Sequence, residues 1–188
     1  MVRLRALLLW LPIVALLSLG AAAASADQTD RRLDGLFQQL KETKDDAEAR
    51  GLETQIWAIW TRSDNEDVNQ LMEVGSLAMA GQKFEIALKA FSRIIELAPN
   101  FAEGWNKRAT LYYLMGNYPA SLADIKRTLE LEPRHFGALS GLGLVNVELE
   151  HDEAALAAFE RALAVDPHLD SANKNAEALR ERIKQRQI

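Results

Sequence analysis

The feature of this sequence that most constrains its fold is a period of 34 residues. Pro99, Pro133 and Pro167 are spaced by that period, and a shift of the sequence by 34 residues aligns further positions between them. The aligned triplets are Leu71, Trp105 and Leu139; Gly75, Ala109 and Gly143; Ala78, Tyr112 and Asn146; Ala87, Ser121 and Ala155; Phe91, Ile125 and Phe159. A period of this length predicts a stack of similar helical units rather than one globular core.

Each unit is predicted to contain two helices that cross closely. Gly75 and Gly143 lack a side chain in the first helix, and Ala87 and Ala155 are small in the second. Glycine inside a helix costs about 0.5–1 kcal/mol relative to alanine, so its recurrence indicates that close packing of the two backbones returns more than this. Proline disfavours helical geometry in the residue before it, so the three prolines are expected to end the second helices.

The pattern resembles the tetratricopeptide repeat (TPR), whose unit reads W-x2-L-G-x2-Y, then A-x3-F, then P. The resemblance implies an all-α fold, a TPR helical solenoid of three 34-residue helix pairs at about 68–101, 102–135 and 136–169. It also implies a binding scaffold rather than an enzyme. The positions that carry the resemblance are Gly75, Ala87, Phe91, Pro99, Trp105, Tyr112, Pro133, Gly143, Ala155, Phe159 and Pro167.

Residues 27–66 are predicted to form an N-terminal helix pair ahead of the repeats. Ser63 and Glu66 have the spacing of a capping box, which predicts that the next helix begins near Asp64. We interpret the pair as a degenerate fourth repeat or as a cap over the apolar face of the first repeat. Trp57 and Trp60 are expected in its core, with an exposed aromatic binding patch as the alternative.

Residues 169–188 are predicted to form a capping helix, because the last repeat would otherwise expose its apolar side. Ala172, Ala176, Leu179 and Ile183 form its narrow apolar stripe. The alternative is a contact with lipid headgroups through the basic residues near its end, which are Arg180, Arg182, Lys184 and Arg186.

Residues 1–26 have the anatomy of a secretory signal peptide. Arg3 and Arg5 precede an apolar run, and Ala24 and Ala26 form a small-x-small cleavage site before Asp27. We therefore expect an exported protein, periplasmic in a Gram-negative cell, that meets the membrane only during export. An uncleaved anchor helix is the alternative.

Composition and motifs exclude several function classes. The chain has no cysteine, which excludes disulfides and thiolate metal sites, and its net charge of -5 argues against nucleic acid as a partner. His135, His151 and His168 are each expected in a solvated turn, so no metal site is predicted. No catalytic residue and no cofactor is predicted, because no catalytic or nucleotide-binding motif occurs in its expected context.

The resemblance implies a concave groove that is lined by the first helices. Candidate partner-binding residues on that face are Asn106, Lys107, Thr110, Tyr113, Glu73, Met72 and Asn69. Lys107 falls on a position that binds a peptide carboxylate in some TPR domains, but Glu73, Glu103 and Gly141 replace other members of that clamp. Arg108 stands where the pattern has leucine, and we expect either an internal ion pair or a ligand contact.

These observations predict a periplasmic scaffold or adaptor that binds envelope proteins or extended peptide segments and supports cell-envelope integrity or assembly. The resemblance is to the small exported TPR proteins of Gram-negative bacteria. The alternative is a regulatory or accessory subunit of a cell-wall enzyme complex, which would dock through a cluster containing Tyr112, Tyr113 and Tyr118.

Overall fold

The computed structural model describes residues 27–186, and the signal-peptide prediction at Ala24 and Ala26 lies outside that range. Within it the fold is all-α, with a short 3-10 turn at Asp27–Thr29, nine α-helices and no β-strand. None of these helices is long and apolar enough to cross a membrane. The helices are α1 (Arg32–Glu42), α2 (Asp46–Trp60), α3 (Glu66–Ala80), α4 (Phe84–Leu97), α5 (Ala102–Leu114), α6 (Tyr118–Leu131), α7 (Phe136–Glu148), α8 (Asp152–Val165) and α9 (Asp170–Arg186).

The repeats pair α3 with α4, α5 with α6 and α7 with α8, and each pair is held at a small residue. A Cβ atom built on Gly75 would lie 2.5 Å from the ring of Phe91, and one on Gly143 would lie 2.6 Å from the ring of Phe159. In the middle repeat, the Ser121 hydroxyl donates to the carbonyl oxygen of Ala109 at 2.8 Å instead. In the first and third repeats the two helices therefore pack through a phenylalanine ring on a glycine, and in the middle repeat they are joined by a hydrogen bond.

The last helix, α9, covers the third repeat. Its buried face, formed by Ala172, Ala176 and Leu179, packs against Ala155 and Phe159. The basic end of α9 is also tied to α8, because Arg182 and Arg186 pair with the buried carboxylate of Asp152 and Arg180 pairs with Glu160. Three of the four basic residues considered for lipid binding are thus engaged within the protein.

The N-terminal helix pair lies along the turns that follow the second helices, which we call the first turn (98–101), the second turn (132–135) and the third turn (166–169). Its core packs against Phe136 at the start of α7, and against Val165 and Leu169 at the two ends of the third turn. Arg134 in the second turn donates to Asp34 at 2.7 Å, and His168 in the third turn contacts Asp46 at 3.0 Å. The structure therefore differs from our interpretation of this pair as a repeat stacked on α3 or a cap over it. The tryptophans of α2 pack on the rings of His135 and Phe136 at the second turn, whereas α3 has no aromatic residue.

The start of α3 also differs from the predicted capping box. Asn65 is the N-cap, and its side chain accepts a hydrogen bond from the backbone N–H of Asp67 at 2.9 Å. Ser63 lies in the preceding turn, where its hydroxyl accepts from the N–H of Asn65. The helix therefore begins at Glu66 rather than near Asp64, because the N-cap is Asn65, two residues after Ser63, and its side-chain oxygen accepts from a free N–H group of the first turn.

Candidate partner-binding groove

A cavity of about 140 Å³ lies between the first helices of the second and third repeats, α5 and α7. Gly141 helps to keep it open, because its missing side chain leaves the methyl group of Ile125 as the nearest atom to a built Cβ, at 3.7 Å. Its lining residues are Asn106, Ala109, Thr110, Tyr113, Ser121, Ile125, Gly137, Ser140, Gly141 and Leu144. Three of the predicted binding residues, Asn106, Thr110 and Tyr113, are thus brought to one site.

The cavity has an apolar floor and a polar rim. Ala109 and Ile125 are buried beneath it, whereas Thr110, Tyr113 and Ser140 are half-buried or exposed at its edge. Thr110 donates its hydroxyl hydrogen to the helix backbone at 3.0 Å. Within residues 27–186 the hydroxyl of Ser140 has no hydrogen-bond partner. This arrangement suits an apolar group that enters the cavity and a polar chain that runs along its rim.

Tyr113, which lines the cavity, also forms part of a small cluster with Tyr118 and Glu148. Its hydroxyl donates to Glu148 at 3.4 Å, and Tyr118 donates to the same carboxylate at 3.1 Å. Burial and the charge of Glu148 raise the pKa of the Tyr113 phenol, so the phenol stays protonated and donates. Tyr112 lies apart from this pair, next to the guanidinium of Arg108 at 5.7 Å. The predicted cluster of three tyrosines is therefore two separate groups.

Glu103, a hydrogen-bond partner of the cavity residue Asn106, was not among the predicted binding residues. It is fully buried, and its Oε2 lies 3.0 Å from Nε2 of His135 and accepts a hydrogen bond from the Asn106 amide at 2.8 Å. Lys107 Nζ lies 3.4 Å from its other oxygen. Burial alone would raise the pKa of the Glu103 carboxyl, but the hydrogen bond with His135, together with Lys107 and Asn106, holds that pKa below its ordinary value.

His135 corrects the expectation that all three histidines are solvated. Its ring is fully buried and stacks on Trp60, with centroids 4.2 Å apart and planes 9° apart. Its Nδ1 accepts from the N–H of Ala138 at 3.1 Å, so Nε2 carries the hydrogen that it donates to Glu103. The 34-residue period could have indicated this burial, because His135 aligns with Phe101, an apolar residue of the preceding repeat that is itself buried.

The N-terminal helix pair closes one end of the groove. The ring of Trp57 would lie 2.7 Å from a Cβ atom on Gly137, at the first turn of α7. Trp57 and Trp60 also contact each other edge to face, with centroids 5.4 Å apart. The two tryptophans are therefore core residues of a junction between α2 and the solenoid, as expected, rather than an exposed aromatic patch.

The other candidate residues lie outside the cavity. Asn69 is tied to the turn before α3, because its amide donates to the carbonyl of Ser63 at 2.8 Å. Met72 is buried in the core of the first repeat, so it does not face a ligand as we expected. Glu73 is exposed on α3, and Lys107 is held by Glu103. The first repeat thus contributes no side chain to the cavity, because α3 and α7 are separated by α5.

Arg108 forms an internal ion pair. Its guanidinium donates two hydrogen bonds to Asp124, at 2.7 and 3.0 Å, and a third to Ser92 at 3.2 Å. It also lies over the ring of Trp105 at 5.2 Å. These contacts join the first repeat to the second, so the ligand-contact alternative for Arg108 is not supported.

The remaining histidines are separate from each other and from the groove. His168 contacts Asp46 and the carbonyl oxygen of Thr43, so it is not solvated as expected, whereas His151 is exposed before α8. Between residues 27 and 186, no three histidine, aspartate or glutamate side chains are grouped in a way that would hold a metal ion.

Comparison with known proteins identifies relatives of this repeat. A sequence profile of the tetratricopeptide repeat matches residues 106–173. A TPR repeat-containing protein of Rhizobium etli is 38% identical over 153 residues, which cover 81% of this chain and 75% of that protein. The Hsp70-Hsp90 organizing protein of Triticum aestivum is 34% identical over 93 residues, but these cover only 16% of that protein.

Solved structures show the same fold at low sequence identity. The first TPR domain of Spaghetti, bound to the HSP90 peptide SRMEEVD, matches 64% of this chain and 96% of that chain with a TM-score of 0.62 and 19% identity. MamA matches 82% of this chain and 81% of that chain with a TM-score of 0.60 and 18% identity. These structures show that the chain shares the helical solenoid fold of TPR domains.

Proposed function

We propose that this chain, which belongs to the tetratricopeptide repeat family, is a scaffold that binds a segment of a partner protein in the groove between α5 and α7. TPR domains mediate protein–protein interactions, and the observation that supports this site is the cavity at Gly141. A dry cavity of about 150 Å³ accommodates a group the size of benzene. The cavity in this chain is of similar size, so it fits one aliphatic or aromatic side chain of a partner.

The charges around the groove define the kind of segment. The peptide in the Spaghetti complex is acidic and ends in a carboxylate-rich sequence. In this chain Lys107 faces the buried carboxylate of Glu103, so its charge is balanced before any ligand arrives. We therefore propose that the partner segment is recognised by an apolar side chain and by its backbone rather than by a terminal carboxylate.

We also propose that the scaffold works in the periplasm of a Gram-negative cell, where it supports the integrity or assembly of the cell envelope. The support for this part is the sequence of residues 1–26, with its basic start, apolar run and cleavage site before Asp27. A chain without cysteine also needs no disulfide chemistry in that compartment.

The groove is favoured over the alternative of an accessory subunit that docks through three tyrosines. Tyr112 lies with Arg108, and Tyr113 and Tyr118 share the carboxylate of Glu148. The three rings therefore do not form one surface, whereas the cavity collects apolar and polar groups in one place.

The test is photo-crosslinking in the producing cell. A photo-reactive residue at Leu144, which lines the cavity and is 36% exposed, is expected to trap a partner protein. Gly141→Leu fills the cavity without a backbone clash, so trapping should fall at least about tenfold, which is about 1.4 kcal/mol of binding. Gly51→Leu is the matched control, because a Cβ on Gly51 meets nothing within 4 Å.

Two results would contradict the proposal. Equal trapping in the Gly141→Leu variant would show that the cavity is not the binding site. Recovery of the protein with cytoplasmic proteins would contradict the periplasmic part, and a purified chain that still carries residues 1–26 would contradict cleavage before Asp27; both leave the groove untouched. Mass determination of the purified chain and cell fractionation measure these two properties.

A further inference from the structure

A second groove lies between the second helices of the second and third repeats, α6 and α8. Its volume is about 320 Å³, and its lining residues are Leu122, Ile125, Lys126, Leu129, Glu130, Leu142 and Arg161. Ile125 is buried, the three leucines are half-buried and the three charged residues are exposed. A cavity of about 150 Å³ holds one group the size of benzene, so this groove has room for about two such groups.

At the same position between the first and second repeats, a polar network joins the helices. Arg108 of α5 donates to Ser92 of α4 at 3.2 Å and to Asp124 of α6 at 2.7 and 3.0 Å. One period later, the three positions are occupied by Lys126, Leu142 and Ala158. The groove between α6 and α8 therefore has apolar side chains and one cation where the preceding boundary has a closed ion pair.

Lys126 lacks the acid that this network contains. Asp124 neutralises the cation at the preceding boundary, whereas its counterpart Ala158 is buried and carries no charge. Lys126 is exposed, and it forms no ion pair within residues 27–186.

Arg161 lacks an acid for a separate reason. In the second helices of the first two repeats, an arginine pairs with the glutamate three residues later, in Arg93–Glu96 and Arg127–Glu130. The third repeat keeps the arginine as Arg161 but has Ala164 in place of the glutamate. Arg161 is exposed, and it too has no ion pair in the part of the chain that the structure describes.

The neighbouring glutamates do not balance these two cations. Glu130 pairs with Arg127 at 3.1 Å, and Glu160 of α8 pairs with Arg180 of α9 at 2.8 Å. The groove thus carries local positive charge on a chain whose net charge is -5. That net charge disfavours an anionic membrane surface as the occupant, because the whole chain would be repelled by it.

We propose that the groove between α6 and α8 binds an acidic, amphipathic segment of a partner protein. The aliphatic side chains of the segment pack on Leu122, Leu129 and Leu142, and its carboxylates pair with Lys126 and Arg161. The partner thereby supplies the two acids that the third repeat lacks.

This inference goes beyond the proposed function and does not depend on it. The cavity at Gly141 lies between the first helices α5 and α7, and the two linings share Ile125 and no other residue. The two sites also differ in chemistry, because the groove between α6 and α8 selects for negative charge.

Calorimetric titration of the complete purified chain with a designed peptide tests the proposal. The probe is an amphipathic helix of leucine and glutamate, about 15 residues long, with the leucines on one face. We expect it to bind with a dissociation constant of about 100 µM or tighter, and a peptide with lysine in place of each glutamate to bind at least about tenfold more weakly.

Two variants locate the binding in this groove. Lys126→Glu should raise the dissociation constant of the acidic peptide at least about tenfold. Ala164→Glu recreates at an exposed position the pair that Arg127 forms with Glu130, so it should weaken the acidic peptide about threefold or more. Lys83→Glu is the matched control, because Lys83 is an exposed lysine in the turn before α4 and should leave the affinity unchanged. Circular dichroism verifies that the variants keep their helices.

Four outcomes overturn the proposal. The first is an acidic peptide that does not bind, and the second is equal affinity in the parent, Lys126→Glu and Ala164→Glu. The third is loss of the acidic peptide in Gly141→Leu, which would place it in the other cavity. The fourth is binding of phosphatidylglycerol vesicles, or of a second copy in sedimentation velocity, that Lys126→Glu abolishes while the peptide affinity stays unchanged.

Discussion

The contacts inside the repeats and the junction between the N-terminal pair and the solenoid are built from different chemistry. Inside the first and third repeats, a phenylalanine ring lies directly on a glycine, at Gly75 and Gly143. At the junction, Trp60 stacks on His135, whose ring is bonded in turn to a buried carboxylate. These two repeats close on apolar contacts between neighbouring helices, whereas the junction combines aromatic rings with polar and charged groups.

The two regions also differ in the sequence separation of the residues that they bring into contact. Gly75 and Phe91 belong to consecutive helices, but the bonds of the junction join residues 72, 100 and 122 positions apart. The indole N–H of Trp60 is buried there without a hydrogen-bond partner in the described structure. Contacts between residues far apart in sequence cost more chain entropy, and a buried donor without an acceptor costs free energy. The junction is therefore expected to open before the repeats unfold.

The largest expected effect is at the centre of the junction. Trp60→Ala should cost about 3–5 kcal/mol, as is usual for loss of a buried tryptophan, and should release α1 and α2 while α3–α8 stay folded. Hydrogen exchange measured by mass spectrometry is expected to show faster exchange in residues 32–60 alone. The control is Trp105→Ala at a half-buried tryptophan of α5, which should leave that segment protected. Equal deprotection of all helices would mean that junction and repeats form one cooperative unit.

The next effect is on a contact inside a repeat. Gly143→Leu forces the ring of Phe159 to move and should cost about 1–3 kcal/mol or more, with faster exchange in α7 and α8. Thermal unfolding followed by circular dichroism measures the loss. Gly51→Leu makes the same chemical change where a Cβ meets no atom, so its melting temperature should not fall. A melting temperature of Gly143→Leu equal to that of the parent would refute the role of the glycine.

Acid should affect the junction in particular. The pKa of Glu103 is lowered in the folded chain, so its stabilising effect is present above the ordinary glutamate value of about 4.3 and is lost as pH falls through the lowered value. Burial raises the pKa of Glu53 and of Asp166, which lies near His168 at the third turn. The effect of these two carboxyls on stability therefore has the opposite pH dependence: they destabilise the fold when charged and favour it most at low pH.

Glu103→Gln separates these contributions. The variant should lose about 1–3 kcal/mol at pH 7, because it removes a charged acceptor from a buried hydrogen bond, and its stability should change less than that of the parent between pH 7 and pH 4. Asp166→Asn is expected to raise the melting temperature at pH 7. Parallel acid curves for the parent and Glu103→Gln would rule out Glu103 as the titrating group.

The smallest expected effect is a gain. Gly51 lies within α2 with open space around it, so Gly51→Ala should stabilise α2 by about 0.5–1 kcal/mol through reduced freedom of the unfolded backbone. Hydrogen exchange should then slow in α2 and stay unchanged in α7. A loss of stability would indicate that the backbone of another molecule or segment packs at Gly51.

The solenoid could be predicted because the contacts between the two helices of a repeat, such as Gly75 with Phe91, join residues of the same 34-residue unit. Both residues of such a contact therefore recur with the period. The sequence also indicated Asn106, Thr110 and Tyr113, because these lie at fixed positions of a first helix. The Glu103–His135 pair and the docking of α2 involve residues far apart in sequence, and the 34-residue period does not show which residues contact each other there. The match of His135 with Phe101 was the one local sign of burial.

The placement of the N-terminal pair has a mechanical consequence. Gln28 bonds to Asn100 in the first turn, Asp34 to Arg134 in the second and Asp46 to His168 in the third. A bare solenoid behaves as a spring, because each repeat touches only its neighbours. Here the N-terminal segment contacts three successive turns and so links them from outside the stack. We expect the spacing of these turns, and with it the width of the groove, to vary more once the N-terminal pair is released.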